Sequence, residues 1–255
     1  MNVVLVGYGR MGRLIEQILA DRGHRTARRI DAAGSPGSDG TELTPEVLAD
    51  ADGVVEFALA DGVLDRLALY AEAGVAAVVG TTGWDHHVDE AKALFSSGSG
   101  ALLKGSNFSV GADPFIRLSR AAARLVNPLE EYDASLLEYH HNRKADAPSG
   151  TALTAAAGVL EELDRKSHLV TDLPEGPIEP DGLHVASVRV GQVPGIHELR
   201  LDSAADFVTV RHEARHRGGF ALGAVRGLEW LSGRRGWHEA DEFIDDLLTG
   251  TGGTT

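Results

Sequence analysis

Residues 3 to 12 constrain this chain more than any other stretch. Val3-Val4-Leu5-Val6 is a short, fully apolar run, the composition of a strand buried on both faces. It runs directly into Gly7-Tyr8-Gly9-Arg10-Met11-Gly12, which has the spacing G-x-G-x-x-G. Met11, Leu14, Ile15, Ile18 and Leu19 then recur at helical spacing, and Gly23 stands where a helix would stop. Strand, glycine turn and helix in that order open a dinucleotide-binding βαβ unit. The first glycine permits a tight turn, the second lets the backbone approach a pyrophosphate, and the third lets helix and strand pack closely. The phosphates would rest on free N–H groups at the positive end of the helix. Gly7, Tyr8, Gly9, Arg10, Met11 and Gly12 are therefore cofactor-binding candidates, against the competing reading of a purely structural turn.

The pattern continues as α/β. Residues 24 to 30 predict a second strand, although His24-Arg25-Thr26-Ala27-Arg28-Arg29-Ile30 is unusually polar. Thr44-Pro45 reads as an N-cap with proline at the first helical position. Strands are predicted at 54–58, 76–79 and 101–104, with helices at 63–73, closed by Gly74, and 87–95. This alternation predicts a parallel, doubly wound sheet. Beyond it come a helix (112–126), a strand (132–138), a polar loop and an Ala-rich helix (151–163). Three β-rich runs follow at 184–190, 196–202 and 207–213, then helices at 219–231 and 239–248. The expectation is a Rossmann domain (1–108), a smaller α+β substrate domain with a mixed, mostly antiparallel sheet (109–217), and C-terminal helices (218–255) returning to the first domain. The site should lie in a cleft between the domains, and the Thr/Gly tail should fray.

Asp31 ends the second strand, about where such folds place an acid for the adenosine ribose. A carboxylate there repels a 2′-phosphate, which leans towards NADH; Arg10, Arg28 and Arg29 keep NADPH open. Asp31 as a plain loop cap is the other reading.

The densest chemistry lies in Glu138-Tyr139-His140-His141-Asn142-Arg143-Lys144-Ala145-Asp146-Ala147-Pro148-Ser149-Gly150-Thr151-Ala152. Two imidazoles, a guanidinium and an ammonium crowd the approach to a helix N-terminus, an arrangement that attracts carboxylates. Lys or His can also act as a general acid. A zinc site is disfavoured, because adjacent histidines diverge and no H-E-x-x-H spacing occurs. A Ser149–His hydrolytic pair lacks any nucleophile-elbow pattern. A solvated basic loop remains the bland alternative.

This stretch, E-x-H-H-x-x-K-x-D-A-P-S-G-T-A, resembles the signature of the dihydrodipicolinate reductase family. Gly9-Arg10-Met11-Gly12-Arg13, Gly80-Thr81-Thr82-Gly83, Ser106-Asn107-Phe108-Ser109-Val110-Gly111, Ser187-Val188-Arg189, Gly223-Ala224-Val225-Arg226 and Trp230-Leu231 are similar to further landmarks of that family, in order along most of the chain. The resemblance implies NAD(P)H-dependent reduction of the dihydrodipicolinate-type intermediate of the diaminopimelate route to lysine. It implies that Gly7 to Gly12 and Asp31 bind the adenosine diphosphate half of the cofactor. Gly80, Thr81 and Thr82, with Gly105, Ser106, Asn107 and Phe108, would hold the nicotinamide end. His140 would be the proton donor/acceptor and Lys144 the proton donor. His141, Lys144, Ser149, Gly150 and Thr151, with Thr82, would contact the dicarboxylate substrate. It also implies a homotetramer. Two departures stand out: one residue fewer between the first two glycines, and little family pattern from 164 to 183.

Composition narrows the remainder. With no cysteine, disulfides and thiolate chemistry are excluded. A net charge of −14 disfavours nucleic acid as a partner. There is no long apolar run and no basic leader before the first strand, so neither a membrane span nor a signal peptide is expected, and the setting expected is cytoplasmic. The rivals are another Rossmann-fold amino-acid or aldehyde dehydrogenase and a non-catalytic dinucleotide sensor.

Overall fold

The computed structural model describes residues 1–96, 98–172 and 175–250; the tail expected to fray, 251–255, lies outside the described residues. The chain forms two compact units, one of Met1–Val110 with the chain from Arg217 onward, the other of Gly111–His216.

The first unit begins with β1 (Asn2–Val6), α1 (Arg10–Asp21), β2 (Arg25–Ile30), α2 (Pro45–Leu48), β3 (Gly53–Glu56), α3 (Val63–Ala73), β4 (Ala76–Val79), α4 (Val88–Leu94) and β5 (Ala101–Lys104). The second unit holds α5 (Ala112–Val126), β6 (Asp133–His140), α6 (Gly150–Glu162), β7 (His168–Val170), β8 (Gly182–Arg189), β9 (Ile196–Asp202) and β10 (Phe207–Glu213). The chain then completes the first unit with α7 (Gly218–Leu231), β11 (Gly236–Glu239) and α8 (Ala240–Thr249).

The first unit's sheet has the order β11-β5-β4-β3-β1-β2, and every pairing is parallel. Alternate strand residues feed two cores. Val3 and Leu5 face a cluster that includes Ile15, Leu19, Val225 and Leu228, while Val4 and Val6 face one that includes Leu67, Tyr70 and Trp84. Burial on both faces is why these strands read as unbroken apolar runs. The polar β2 is tolerated because it is an edge strand, with Arg29 turned outward to Glu16 and Asp39. The strand order reverses about β1, so the loops after β1 and β3 meet at the switch point where such sheets take ligands.

The second sheet has the order β10-β9-β6-β8-β7. It is mixed, as expected, but not mostly antiparallel: β10–β9 and β9–β6 are antiparallel, β6–β8 and β8–β7 parallel. Its inner face packs Leu136, Val185, Leu199 and Leu201 against Phe115, Ala155 and Val159 of α5 and α6.

Other local expectations need correction. β6 runs on through His140, two residues beyond the expected end, so Tyr139 and His140 are strand residues rather than loop residues. β3 stops at Glu56, and α4 starts at Val88 after a 3₁₀ turn at Asp85–His87. Thr44 occupies the N-cap position of α2 but makes no side-chain cap. β7 and β11 were not expected: one has three residues, too few for a period, and the other, Gly-Trp-His-Glu, has no apolar alternation. β7 lies in the stretch lacking family pattern, where the ammonium of buried Lys166 donates to the Pro180 and Gly182 carbonyls, each at 2.8 Å. Among the described residues no helix is long and apolar enough to cross a membrane.

Candidate active site

In the first unit the glycine turn leaves β1 at Gly7, whose φ of +88° suits glycine. A side chain there would also strike the Phe57 carbonyl, and one at Gly12 would strike the Gly7 carbonyl. Gly9, by contrast, faces open space and is the N-cap of α1. No side chain caps this helix end and its first turn carries no acid, so the uncapped N–H groups fit a dinucleotide's pyrophosphate.

Asp31 sits directly behind this turn. One carboxylate oxygen accepts the Tyr8 backbone N–H at 2.7 Å and the other accepts that of Ala33 at 3.0 Å. The carboxylate therefore fixes the turn, which is the loop-cap role weighed above. Of the arginines that kept NADPH open, Arg29 is held by Glu16 and Asp39, and Arg28 donates to the Ala27 carbonyl.

The Gly80–Gly83 loop follows β4 and rests on a buried carboxylate that the sequence did not reveal. Glu56, fully buried at the end of β3, lies 2.8 Å from Arg66 and accepts hydrogen bonds from Tyr70 at 2.6 Å and Thr81 at 3.0 Å. Burial, then the Glu56 charge, pushes the Tyr70 hydroxyl well above its usual range, so it stays a donor. Thr81 thus points inward, while Thr82 is exposed. Phe57 fills the space where any side chain at position 80 would go, and its ring meets that of Phe108 edge-on at 6.2 Å. In the Gly105–Phe108 segment, the Asn107 side chain accepts the Ser109 N–H at 2.8 Å.

The second unit's site grows out of strand alternation. The inner face of β6 reads Ala134, Leu136, Glu138, His140; that of β9 reads Leu201, Leu199, His197. Each strand is apolar along the core and polar at the same end. Register puts Ser187, Glu138, His197 and His212 in one row across four strands. Glu138, fully buried, holds the His140 Nδ1 on one oxygen and lies 2.8 Å from Arg189 with the other. Burial works against its charge, but hydrogen bonds from His140 and Arg189 prevail and lower its carboxyl to about 2. His140 is 7% exposed, so only an edge of its ring can be reached.

His141 opens the loop and Gly150 and Thr151 begin α6. The Lys144 ammonium pairs with Asp146 at 2.8 Å. Partial burial opposes the Asp146 charge, and Lys144 outweighs it, holding that carboxyl below its usual range. The loop is therefore less cationic than its lysine and arginine suggest. Arg189 also donates to the Asp146 carbonyl at 2.5 Å, tying loop to sheet. Ser149 caps α6, accepting the Ala152 N–H at 3.3 Å, and its Oγ lies 3.2 Å from Nε2 of His197. His197 links Ser149 to His140, whose ring centroid is 5.2 Å from its own.

Glu138, Arg189, His197 and His212 were not singled out as site residues. Their signal was a polar residue at the end of an otherwise apolar period-two face, repeated on four strands. Glu138, His140 and His197 each bring a ligand atom within 4.8 Å of the others, the spacing of a cation site. The Arg189 guanidinium already supplies positive charge there.

Comparison with known proteins agrees along nearly the whole chain. Residues 1–108 match the family model described as dihydrodipicolinate reductase, N-terminus, and residues 111–244 its C-terminus. A 4-hydroxy-tetrahydrodipicolinate reductase of Natronomonas pharaonis is 39% identical over 96% of this chain and 100% of its own length. One from Christiangramia forsetii is 31% identical over 97% and 99%. Among solved structures, a dipicolinate-bound dihydrodipicolinate reductase from a Paenisporosarcina species has a TM-score of 0.72 at 21% identity, over 94% of this chain and 97% of that one, a likeness of fold. On the two family models and these relatives, the chain belongs to the dihydrodipicolinate reductase family.

Proposed function

We propose that this protein is a nicotinamide-dependent 4-hydroxy-tetrahydrodipicolinate reductase, forming tetrahydrodipicolinate in the diaminopimelate route to lysine. The observation that carries this reading is the second unit's polar sheet end, where Glu138–His140, Lys144 and the Ser149-capped start of α6 stand together in a chain of this family.

The uncapped α1 N-terminus and the Gly80–Gly83 and Gly105–Phe108 segments would hold the dinucleotide, which supplies hydride to the substrate ring when bound. The rest falls to the chain's own side chains. Glu138–Arg189 and Lys144–Asp146 are already neutralised pairs. An incoming dicarboxylate adds negative charge that these pairs do not balance. The N–H groups of Gly150 and Thr151 at the start of α6 would take one carboxylate. The Lys144 ammonium, in a side chain 24% exposed, would turn from Asp146 towards the substrate, with His141 as a further contact. Loss of the 4-hydroxyl as water leaves the conjugated dihydro ring that accepts hydride; hydride addition to that ring leaves an enamine, and Lys144 is the group with the exposure to protonate it. His140, fixed by Glu138, would be the proton donor/acceptor beside the developing charge.

NADH is the preferred cofactor in this reading. It is supported by a carboxylate at Asp31, which would repel a 2′-phosphate, and by the prior engagement of Arg29. The family role further suggests a cytoplasmic homotetramer acting on a small molecule, without nucleic acid or membrane as partner; light scattering tests the assembly.

The direct test generates substrate in situ with the synthase that precedes this step and follows NADH and NADPH by absorbance. Oxidation of neither would sink the assignment. His140→Ala and Lys144→Ala should each bind dinucleotide normally and lose roughly 10²- to 10⁴-fold in turnover. A near-normal rate in either would remove that residue from the mechanism.

A further inference from the structure

His197 has no role in the mechanism above, yet it is 6% exposed and lies between two groups that have one. Its Nε2 is 3.2 Å from the Ser149 hydroxyl, and its ring lies edge-on to His140 and stacked at 15° on His212. Ser149 Oγ already accepts the Ala152 N–H, so its own hydrogen is available to donate. His197 Nε2 can accept that hydrogen only if the ring is neutral with its proton on Nδ1. Neutrality is enforced: burial foremost, then His140, His212 and Lys144, lowers this imidazole to about 4.

We propose that His197 is a positioning residue for the substrate: as a fixed acceptor it orients the Ser149 hydroxyl, and through it the first turn of α6 that receives a substrate carboxylate. This rests on reading that first turn as the carboxylate site. Ser149 is 2% exposed, so its hydroxyl has little water to turn to instead. An unheld hydroxyl would swing, and the cap on Ala152 would swing with it. The effect therefore falls on substrate binding rather than on the chemical step.

The discriminating pair is His197→Asn and His197→Gln. The asparagine amide stops near the Nδ1 position and cannot reach Ser149; the glutamine amide reaches the Nε2 position. Titration of the full-length protein with pyridine-2,6-dicarboxylate should show His197→Asn weakened roughly three- to tenfold and His197→Gln close to wild type, on the usual net worth of one hydrogen bond. KM for the reduced substrate should rise in parallel while kcat holds. In a Ser149→Ala background the asparagine substitution should cost nothing further, because the partner it acts through is gone. His197→Met, similar in volume but a poor acceptor, gives the same comparison should the asparagine variant not fold. Wild-type affinity in His197→Asn and His197→Met, or losses that multiply with Ser149→Ala, would overturn the proposal. Failure of the wild-type protein to bind pyridine-2,6-dicarboxylate would instead overturn the carboxylate site on which it rests.

Discussion

Each unit buries one glutamate at the end of a strand, and each glutamate has an arginine 2.8 Å away, yet the two do different work. Glu56 gathers Arg66, Tyr70 and Thr81, none of which changes charge in the working pH range, and the result is a fixed support under the Gly80–Gly83 loop. Glu138 holds Arg189 with one oxygen and the His140 imidazole with the other. In the proposed reading, the same buried carboxylate–guanidinium pair is a bracket in one unit and the anchor of the proton-handling His140 in the other. What differs is the third partner.

Breaking each pair should expose that difference. The largest effect is expected from Glu138→Gln, which keeps the shape but leaves His140 without its anion. We expect kcat to fall by on the order of 10²-fold or more with dinucleotide affinity unchanged, measured by steady-state kinetics and by cofactor titration. A fall confined to stability would make Glu138 a bracket too. Glu56→Ala should do the reverse. Removing one partner of a buried pair costs about 3–5 kcal/mol, so the urea midpoint should drop sharply, while surviving folded protein shows a raised KM for the dinucleotide and a smaller change in kcat.

Acid should separate the units next. The fold holds His197 at about 4 against 6.5 for an ordinary imidazole, so it resists protonating this ring. That stability is complete above pH 6.5 and is lost as pH falls towards 4, by on the order of 3 kcal/mol. Glu138, held at about 2 against 4.5, adds a second loss as pH falls from 4.5 towards 2. Both lie in the second unit, which should open first on acidification, as read by hydrogen exchange at stepped pH. His197→Gln should flatten the decline between pH 6.5 and 4; an unchanged slope there would mean the imidazole is not its source. The smallest effect is expected from Asp31→Ala, at about 1 kcal/mol of NADH affinity through the loosened turn and the lost ribose contact. Unchanged NADH affinity would leave Asp31 only its loop-cap role.

The two units also differ in how much the sequence discloses. The first unit's ligand groups are backbone N–H groups at loops, and only glycines permit such loops, so Gly7, Gly12 and Gly80 are visible as letters. Its strands, buried on both faces, announce themselves as apolar runs, and β4 and β5 fall where composition places them. β11 escaped because an edge strand at the end of the sheet needs no apolar face of its own. In the second unit the His140–Lys144 stretch was conspicuous, but its meaning was incomplete. Glu138 looked like the last residue of its strand, with the loop starting at once, because two histidines and a lysine followed it. In fact the strand continues, and alternation turns Glu138 and His140 inward. His197 and His212 are each a lone histidine in an otherwise ordinary strand, and only the cross-strand register makes them neighbours of Glu138 and Ser149. Nothing local says that Asp146, two residues on, folds back upon Lys144.

The first unit is interrupted in sequence, and this orders events during synthesis. Its first 110 residues reach the ribosome exit well before α7, which brings Ala221, Ala224, Val225 and Leu228 to the core beside Val3, Leu5 and Leu103. At some 5–20 residues per second, roughly ten seconds of translation separates the exposed sheet from its cover. The whole second unit emerges in that interval. A nascent chain paused near residue 200 would therefore present an apolar sheet face to the cell, a natural target for a holdase and a point where slow decoding has a physical cost.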